Sequence, residues 1–125
     1  MEHFKIEGTL KTPAIEFNAL DGTIKIEGRS IPENSKGFYE PVLEWLNSYA
    51  ANPKPSTVAD IKLEYFNTSS SKCILDIFKI LDSIHETGNE VMINWYYEKP
   101  DEDMLEAGEE YQTIVSVPFT MKVIE

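Results

Sequence analysis

The sequence predicts an α/β fold: a mixed β-sheet, antiparallel in its N-terminal portion, with about three helices packed on it. Three observations carry this expectation. Apolar and polar residues alternate up to about residue 27, the pattern of strands with one wet face. From about Phe38 the apolar spacing becomes i, i+3, i+4, i+7, that of a helix buried on one side. Helical and strand-like segments then alternate to the end of the chain, which implies parallel pairs joined by helical crossovers.

Phe4, Ile6 and Leu10 share one parity while Lys5, Glu7, Thr9 and Lys11 hold the other, giving a first strand. Residues 14–17 form a second, and Asp21-Gly22 a turn, because Asp-Gly adopts positive φ at little cost. Residues 23–27 run back with Ile24 and Ile26 on one side. The stretch 28–37 is polar, contains Pro32 and reads as a loop. Val42, Trp45, Leu46 and Tyr49 then mark a first helix, with Pro41 placed in its first turn, where a missing N–H costs least. Asn52-Pro53-Lys54-Pro55 ends it.

Residues 57–66 read as a strand with Ile61, Leu63 and Tyr65 pointing one way. After a polar run over 67–71, Ile74, Ile77, Phe78, Leu81 and Ile84 mark a second helix, which Gly88 closes as a C′ residue. Residues 90–97 are nearly continuously apolar, as in a central strand. Its polar member, Asn94, requires a buried partner or an exposed position. Residues 101–115 form a third helix opening with Asp101, Glu102 and Asp103, which suit the positive end of the dipole. Residues 118–124 are a last strand. The expected order is β-β-β-α-β-α-β-α-β in one domain over residues 1–125. Trp45, Tyr49, Ile77, Phe78, Leu81, Ile93 and Trp95 are its expected core.

Composition narrows the function. With 22 acidic and 11 basic residues the net charge is −11. The basic residues are scattered and Arg29 is the one arginine. No stripe therefore offers counterion release to a phosphate backbone, which argues against nucleic acid, and the same sign argues against anionic membranes. The single cysteine, Cys73, excludes an intrachain disulfide and a thiolate metal cluster. No basic-then-apolar leader and no spanning apolar stretch is visible, so a cytoplasmic protein is expected.

Catalytic constellations fare poorly. Ser69, Ser70 and Ser71 have no nearby base, because His3 is near the N-terminus and His85 lies at the far end of the second helix, roughly 22 Å away. The acidic patch from Asp101 to Glu110 lacks the glycine an EF-hand needs at its sixth position, which is Glu106 here. A solvated helix face explains it better, and neither a metal nor a cofactor is expected. The remaining feature is Asn67-Thr68-Ser69-Ser70-Ser71-Lys72, where a strand hands over to a helix. Simple capping needs one such residue. Here five stand in a row, at a helix end whose dipole and free N–H groups favour an added phosphate. Chemistry alone favours simple capping and does not choose among the four hydroxyls.

Several segments together resemble the SiaC family of bacterial regulatory phosphoproteins. They are Ile31-Pro32-Glu33-Asn34 with Phe38-Tyr39 and Pro41, Tyr65-Phe66 running into Asn67 to Lys72, Asn94-Trp95-Tyr96-Tyr97-Glu98, and Asp101-Glu102-Asp103-Met104. The resemblance covers nearly the whole chain. It implies a fold similar to STAS domains, the anti-sigma factor antagonists, and a non-enzymatic partner switch. It further implies phosphorylation of Thr68 by a dedicated Ser/Thr kinase and removal of the phosphate by a PPM-type phosphatase. The unphosphorylated form is then expected to bind and activate a diguanylate cyclase. Asn67, Ser69, Ser70, Ser71 and Lys72 form the expected surroundings of the phosphosite, with Glu33, Asn34, Tyr96, Glu98, Asp101 and Asp103 as a candidate partner surface. Two other classes stand beside this one: a STAS-like binding module whose Thr/Ser run only caps a helix, and a metal-dependent enzyme using the Asp101 to Glu110 patch.

Overall fold

The structure, a computed structural model, describes residues 3–124. One sheet holds six strands in sequence order: β1 (Phe4–Ile6), β2 (Ala14–Asn18), β3 (Thr23–Ser30), β4 (Ser56–Phe66), β5 (Glu90–Glu98) and β6 (Phe119–Ile124). The first two steps are antiparallel and the last three parallel. Each parallel step requires a crossover, supplied by α1 (Ser35–Ala50), α2 (Thr68–Glu86) and α3 (Glu102–Ile114). The expected element order and mixed α/β sheet are what the structure has.

Crossovers of one hand, stepping in one direction, place all three helices on one face. That face carries the core. Ile15, Ile26, Ile61 and Trp95 stand in register across β2 to β5, all fully buried. Trp45 of α1 meets Phe17 of β2 at 5.3 Å between ring centroids, and Phe78 of α2 meets Trp95 at 6.3 Å. α3 approaches so closely that a Cβ on Gly108 would lie 2.5 Å from the Trp95 ring. The opposite face shows Lys25, Glu27 and Lys62 to solvent.

Local details differ from the sequence reading, each for a physical reason. β1 stops at Ile6, and Leu10 is 83% exposed because Thr9 Oγ1 accepts the Lys11 and Thr12 N–H groups and turns the chain. The expected loop over 28–37 shrinks to residues 31–34, since β3 runs to Ser30 and α1 begins at Ser35. Asn34 caps α1, its Oδ1 accepting the Gly37 N–H at 3.1 Å. Pro41 therefore lies inside α1 rather than in its first turn. It sits on the exposed side, where water can satisfy the carbonyl it leaves unpaired.

β4 carries a bulge. Gly28 pairs with Leu63 but Arg29 pairs with Tyr65, leaving Glu64 as the extra residue. The bulge inverts the alternation, so Tyr65 is 55% exposed while Phe66 turns inward and meets Trp95 edge-on at 6.0 Å. Trp45, expected in the core, is half-buried at the β1–β2 edge of the sheet, packed on Phe4 and stacked on Tyr49. The other six expected core residues are buried. Asn94 is buried and donates to Asp60 Oδ1 across the strand pair at 2.8 Å.

Candidate functional site

Strands β3, β4 and β5 run parallel, so the connections that follow them emerge at one edge of the sheet. The carboxyl ends of parallel strands are where open α/β sheets place their sites. Here that edge gathers residues 31–34, Asn67 and residues 99–101, so Glu33, Asn34, Asn67 and Asp101 lie on these connections.

The polar run separates into distinct roles. Asn67 is the N-cap of α2, with extended backbone and an Oδ1 that accepts the Ser70 N–H at 2.9 Å. The Thr/Ser run is therefore not the cap. Thr68 is the first helical residue, exposed, and its hydroxyl makes no hydrogen bond among the described residues. Ser69 bonds Ser35 Oγ at 2.7 Å and donates to Asn67 Oδ1 at 3.2 Å. Ser70 is fully buried and donates to the Ser30 carbonyl at 3.0 Å. Ser71 donates to the Thr68 carbonyl, and the Tyr111 hydroxyl of α3 donates to the Ser71 carbonyl at 2.8 Å. Lys72 is exposed one turn beyond Thr68.

Beneath Thr68 lies a hydroxyl chain joining three elements. Ser30 Oγ donates to Ser70 Oγ at 2.8 Å. A hydroxyl has one proton, so the Tyr39 phenol must donate to Ser30 Oγ across their 2.6 Å contact. A phenol is protonated at neutral pH, and burial pushes the pKa of Tyr39 further up, to about 12. Tyr111 is raised by burial as well. Ser30 and Ser35 carry no signal in the sequence alone: their partners Ser70 and Ser69 are 40 and 34 residues away, and no local pattern reports such contacts.

Two grooves flank the first turn of α2. One, of about 690 Å³, runs between α1 and α2 and takes in Glu33, Asn34, Ser69 and Lys72. The other, of about 490 Å³, lies between α2 and α3 and takes in Thr68, Lys72, Tyr111 and Ile114. The remaining candidate surface residues lie elsewhere. Glu98 and Asp101 line a separate pocket with Arg29 and Glu64. Tyr96 stands under the Lys122 ammonium, 6.0 Å from its ring centroid, and Asp103 is exposed in the first turn of α3. The structure thus joins Glu33 and Asn34 to Ser69 and Lys72, but not to Tyr96, Glu98, Asp101 or Asp103.

The acidic patch has a structural use. Asp101 caps α3, its Oδ1 accepting the Met104 N–H at 3.0 Å, and Glu102 and Asp103 occupy the first turn. Among the described residues no three Asp, Glu, His or Cys side chains converge as metal ligands. His85 sits in the last turn of α2, at the opposite end from the serines. Its buried Nδ1 has no hydrogen-bond partner among the described residues.

Comparison with known proteins fits this geometry. The model of the SiaC family, described as regulatory phosphoproteins, matches residues 6–124. This chain belongs to the SiaC family. A SiaC-family likeness also appears in solved structures. Apo-SiaC from Pseudomonas aeruginosa superposes with a TM-score of 0.91 at 32% identity, covering 98% of this chain and 100% of that one. A second, the P. aeruginosa diguanylate cyclase SiaD in complex with its activator SiaC, matches with a TM-score of 0.91 at 33% identity, covering 97% and 99%. An uncharacterized protein of P. aeruginosa strain UCBPP-PA14 is 34% identical over 122 residues, 98% of this chain and 97% of its own length. No helix among the described residues is long and apolar enough to cross a membrane.

Proposed function

We propose that this SiaC-family protein is a non-enzymatic cytoplasmic switch, in which phosphorylation of Thr68 by a Ser/Thr kinase weakens binding to a diguanylate cyclase and a PPM-type phosphatase restores it. The observation that carries this reading is the state of the four hydroxyls. Ser70 is buried, Ser69 is bonded to Ser35, and Ser71 is bonded to the helix backbone. Thr68 alone among them is exposed and without a hydrogen bond within the described residues. A kinase can take its proton and place the phosphoryl group without breaking an internal contact. The product sits at the positive end of α2, beside first-turn N–H groups that have no carbonyl partner within the helix, and Lys72 is one turn away.

The activator in complex with SiaD supports the choice of partner, because that relative covers nearly the whole of this chain. The added dianion acts locally. A protein already at −11 gains little general repulsion from two more charges at physiological salt, where screening takes hold within about 8 Å. The test is phosphopeptide mapping after co-expression with the cognate kinase, followed by titration of the cyclase with both forms. Phosphate on Thr68 and weaker cyclase binding are expected. Phosphate mapped outside residues 67–71, or equal affinity of the two forms, would remove the switch.

A further inference from the structure

Exposure does not separate Thr68 from its neighbour: Thr68 and Ser69 are both exposed, at the first and second positions of α2. Their hydroxyls differ in what they hold. Ser69 Oγ donates its one proton to Asn67 Oδ1 at 3.2 Å. It must therefore accept across its 2.7 Å contact with Ser35, which makes Ser35 Oγ the donor. The other hydroxyl near Ser35, Ser70 Oγ, stands at 3.4 Å and competes poorly for that proton. Ser35 is 4% exposed and opens a capped helix, so its hydroxyl is fixed in place. Ser69 is thus held on its oxygen from α1 and on its hydrogen from the α2 cap. Thr68 is held on neither among the described residues.

Phosphoryl transfer needs both parts of the hydroxyl. An oxygen lone pair forms the new O–P bond as the bond from the γ-phosphorus of ATP to its bridging oxygen breaks. ADP leaves, and the hydroxyl proton passes to a base of the kinase. A hydroxyl whose proton and lone pair are both engaged must first release two hydrogen bonds. We infer that Ser35 determines which hydroxyl the kinase modifies: its bond to Ser69 keeps a second, exposed acceptor silent and confines the phosphate to Thr68. The inference rests on the phosphorylation proposed above and assigns its site selection to a residue of α1, outside the Thr/Ser run. The choice has a consequence, because the two hydroxyls open on different sides of α2. Ser69 lines the groove towards α1 and Thr68 the groove towards α3. A phosphate moved by one residue would place its charge on a different surface.

The test is phosphorylation of the intact chain by its cognate kinase and ATP, with the modified residue located by fragmentation mass spectrometry. Wild type should carry phosphate on Thr68. With Thr68→Ala as background, Ser69 should be modified at least about fivefold faster once Ser35→Ala is added, the factor expected for one lost hydrogen bond. Ser35→Cys, close in shape but a weak donor, should accelerate it as well. Ser30→Ala controls for a merely structural effect. It removes an equally buried hydroxyl from the same cluster but leaves the Ser35–Ser69 bond, so Ser69 should stay slow. Equal Ser69 rates with and without the Ser35 hydroxyl would mean that position on the helix, not the bond, selects the acceptor. That result, or equal acceleration by Ser30→Ala, overturns the role of Ser35 and leaves the switch at Thr68 standing. A wild type that takes no phosphate overturns both.

Discussion

Replacing Asn67 and Thr68 by alanine, one at a time, separates the fold of the candidate site from its chemistry. Asn67 Oδ1 accepts the Ser70 N–H at 2.9 Å and the Ser69 hydroxyl at 3.2 Å. Losing an N-cap costs about 1 kcal/mol, within roughly 0.5–2. The Ser69 contact adds little, since that hydroxyl keeps Ser35 at 2.7 Å. Asn67→Ala should therefore destabilise by about 1–2 kcal/mol and lower Tm by roughly 4–8 °C for a domain of this size. Thr68 gives up no hydrogen bond, and alanine is the better helix former by at most about 0.7 kcal/mol in a helix interior. Thr68→Ala should lie within about 0.5 kcal/mol of wild type. Urea melts read by tryptophan fluorescence and circular dichroism resolve the two. If Thr68→Ala cost as much as Asn67→Ala, the hydroxyl would be holding the helix, and its loss in any binding assay would report folding rather than phosphorylation.

Ser70→Ala removes a fully buried hydroxyl bonded to Ser30, and should cost about 1–3 kcal/mol by equilibrium unfolding while leaving Thr68 exposed for the kinase. Gly108→Ala drives a Cβ to 2.5 Å from both Trp95 Cδ1 and Met121 Cε; a helix-propensity gain of about 1 kcal/mol is offset by weakening of the Trp95 Nε1 bond to the Met104 carbonyl, leaving about 1–3 kcal/mol of overpacking. A neutral or stabilised Gly108→Ala variant in thermal melts would mean α3 does not pack on Trp95 in this way. Tyr39 has its folded pKa raised from 10.0 to about 12, so its contribution is whole below pH 10 and is lost as the unfolded phenol ionises first, by about 2–3 kcal/mol between pH 10 and 12; Tyr39→Phe should flatten that part of the urea-stability profile. Thr68→Asp should weaken cyclase binding incompletely in a direct titration, since a carboxylate has less charge and fewer acceptor oxygens than phosphate.

The sequence by itself determined the order of elements, the mixed sheet and most of the core. Periodicity reports these directly: Ile74, Ile77, Phe78, Leu81 and Ile84 repeat with the turn of a helix, and all are buried. The family could also be read from segments spread along nearly the whole chain, and the strand-to-helix corner at Asn67 to Lys72 stood out as a candidate site. Tertiary structure decided what each residue there does. Which of Asn67, Thr68, Ser69, Ser70 and Ser71 caps, packs or stays free depends on Ser30, Ser35 and Tyr111, each 34 to 40 residues away. Short-range patterns carry no information about such partners. The bulge at Glu64 is of the same kind: alternation places Tyr65 inside, but pairing with β3 inserts one residue and sends Phe66 in instead. Polar strand ends mislead for a related reason. Arg29 and Ser30 look like loop, yet Ser30 is fully buried because Tyr39 and Ser70 satisfy its hydroxyl. A polar group can be buried wherever the fold brings it a hydrogen-bonding partner, and only the folded chain says where that is.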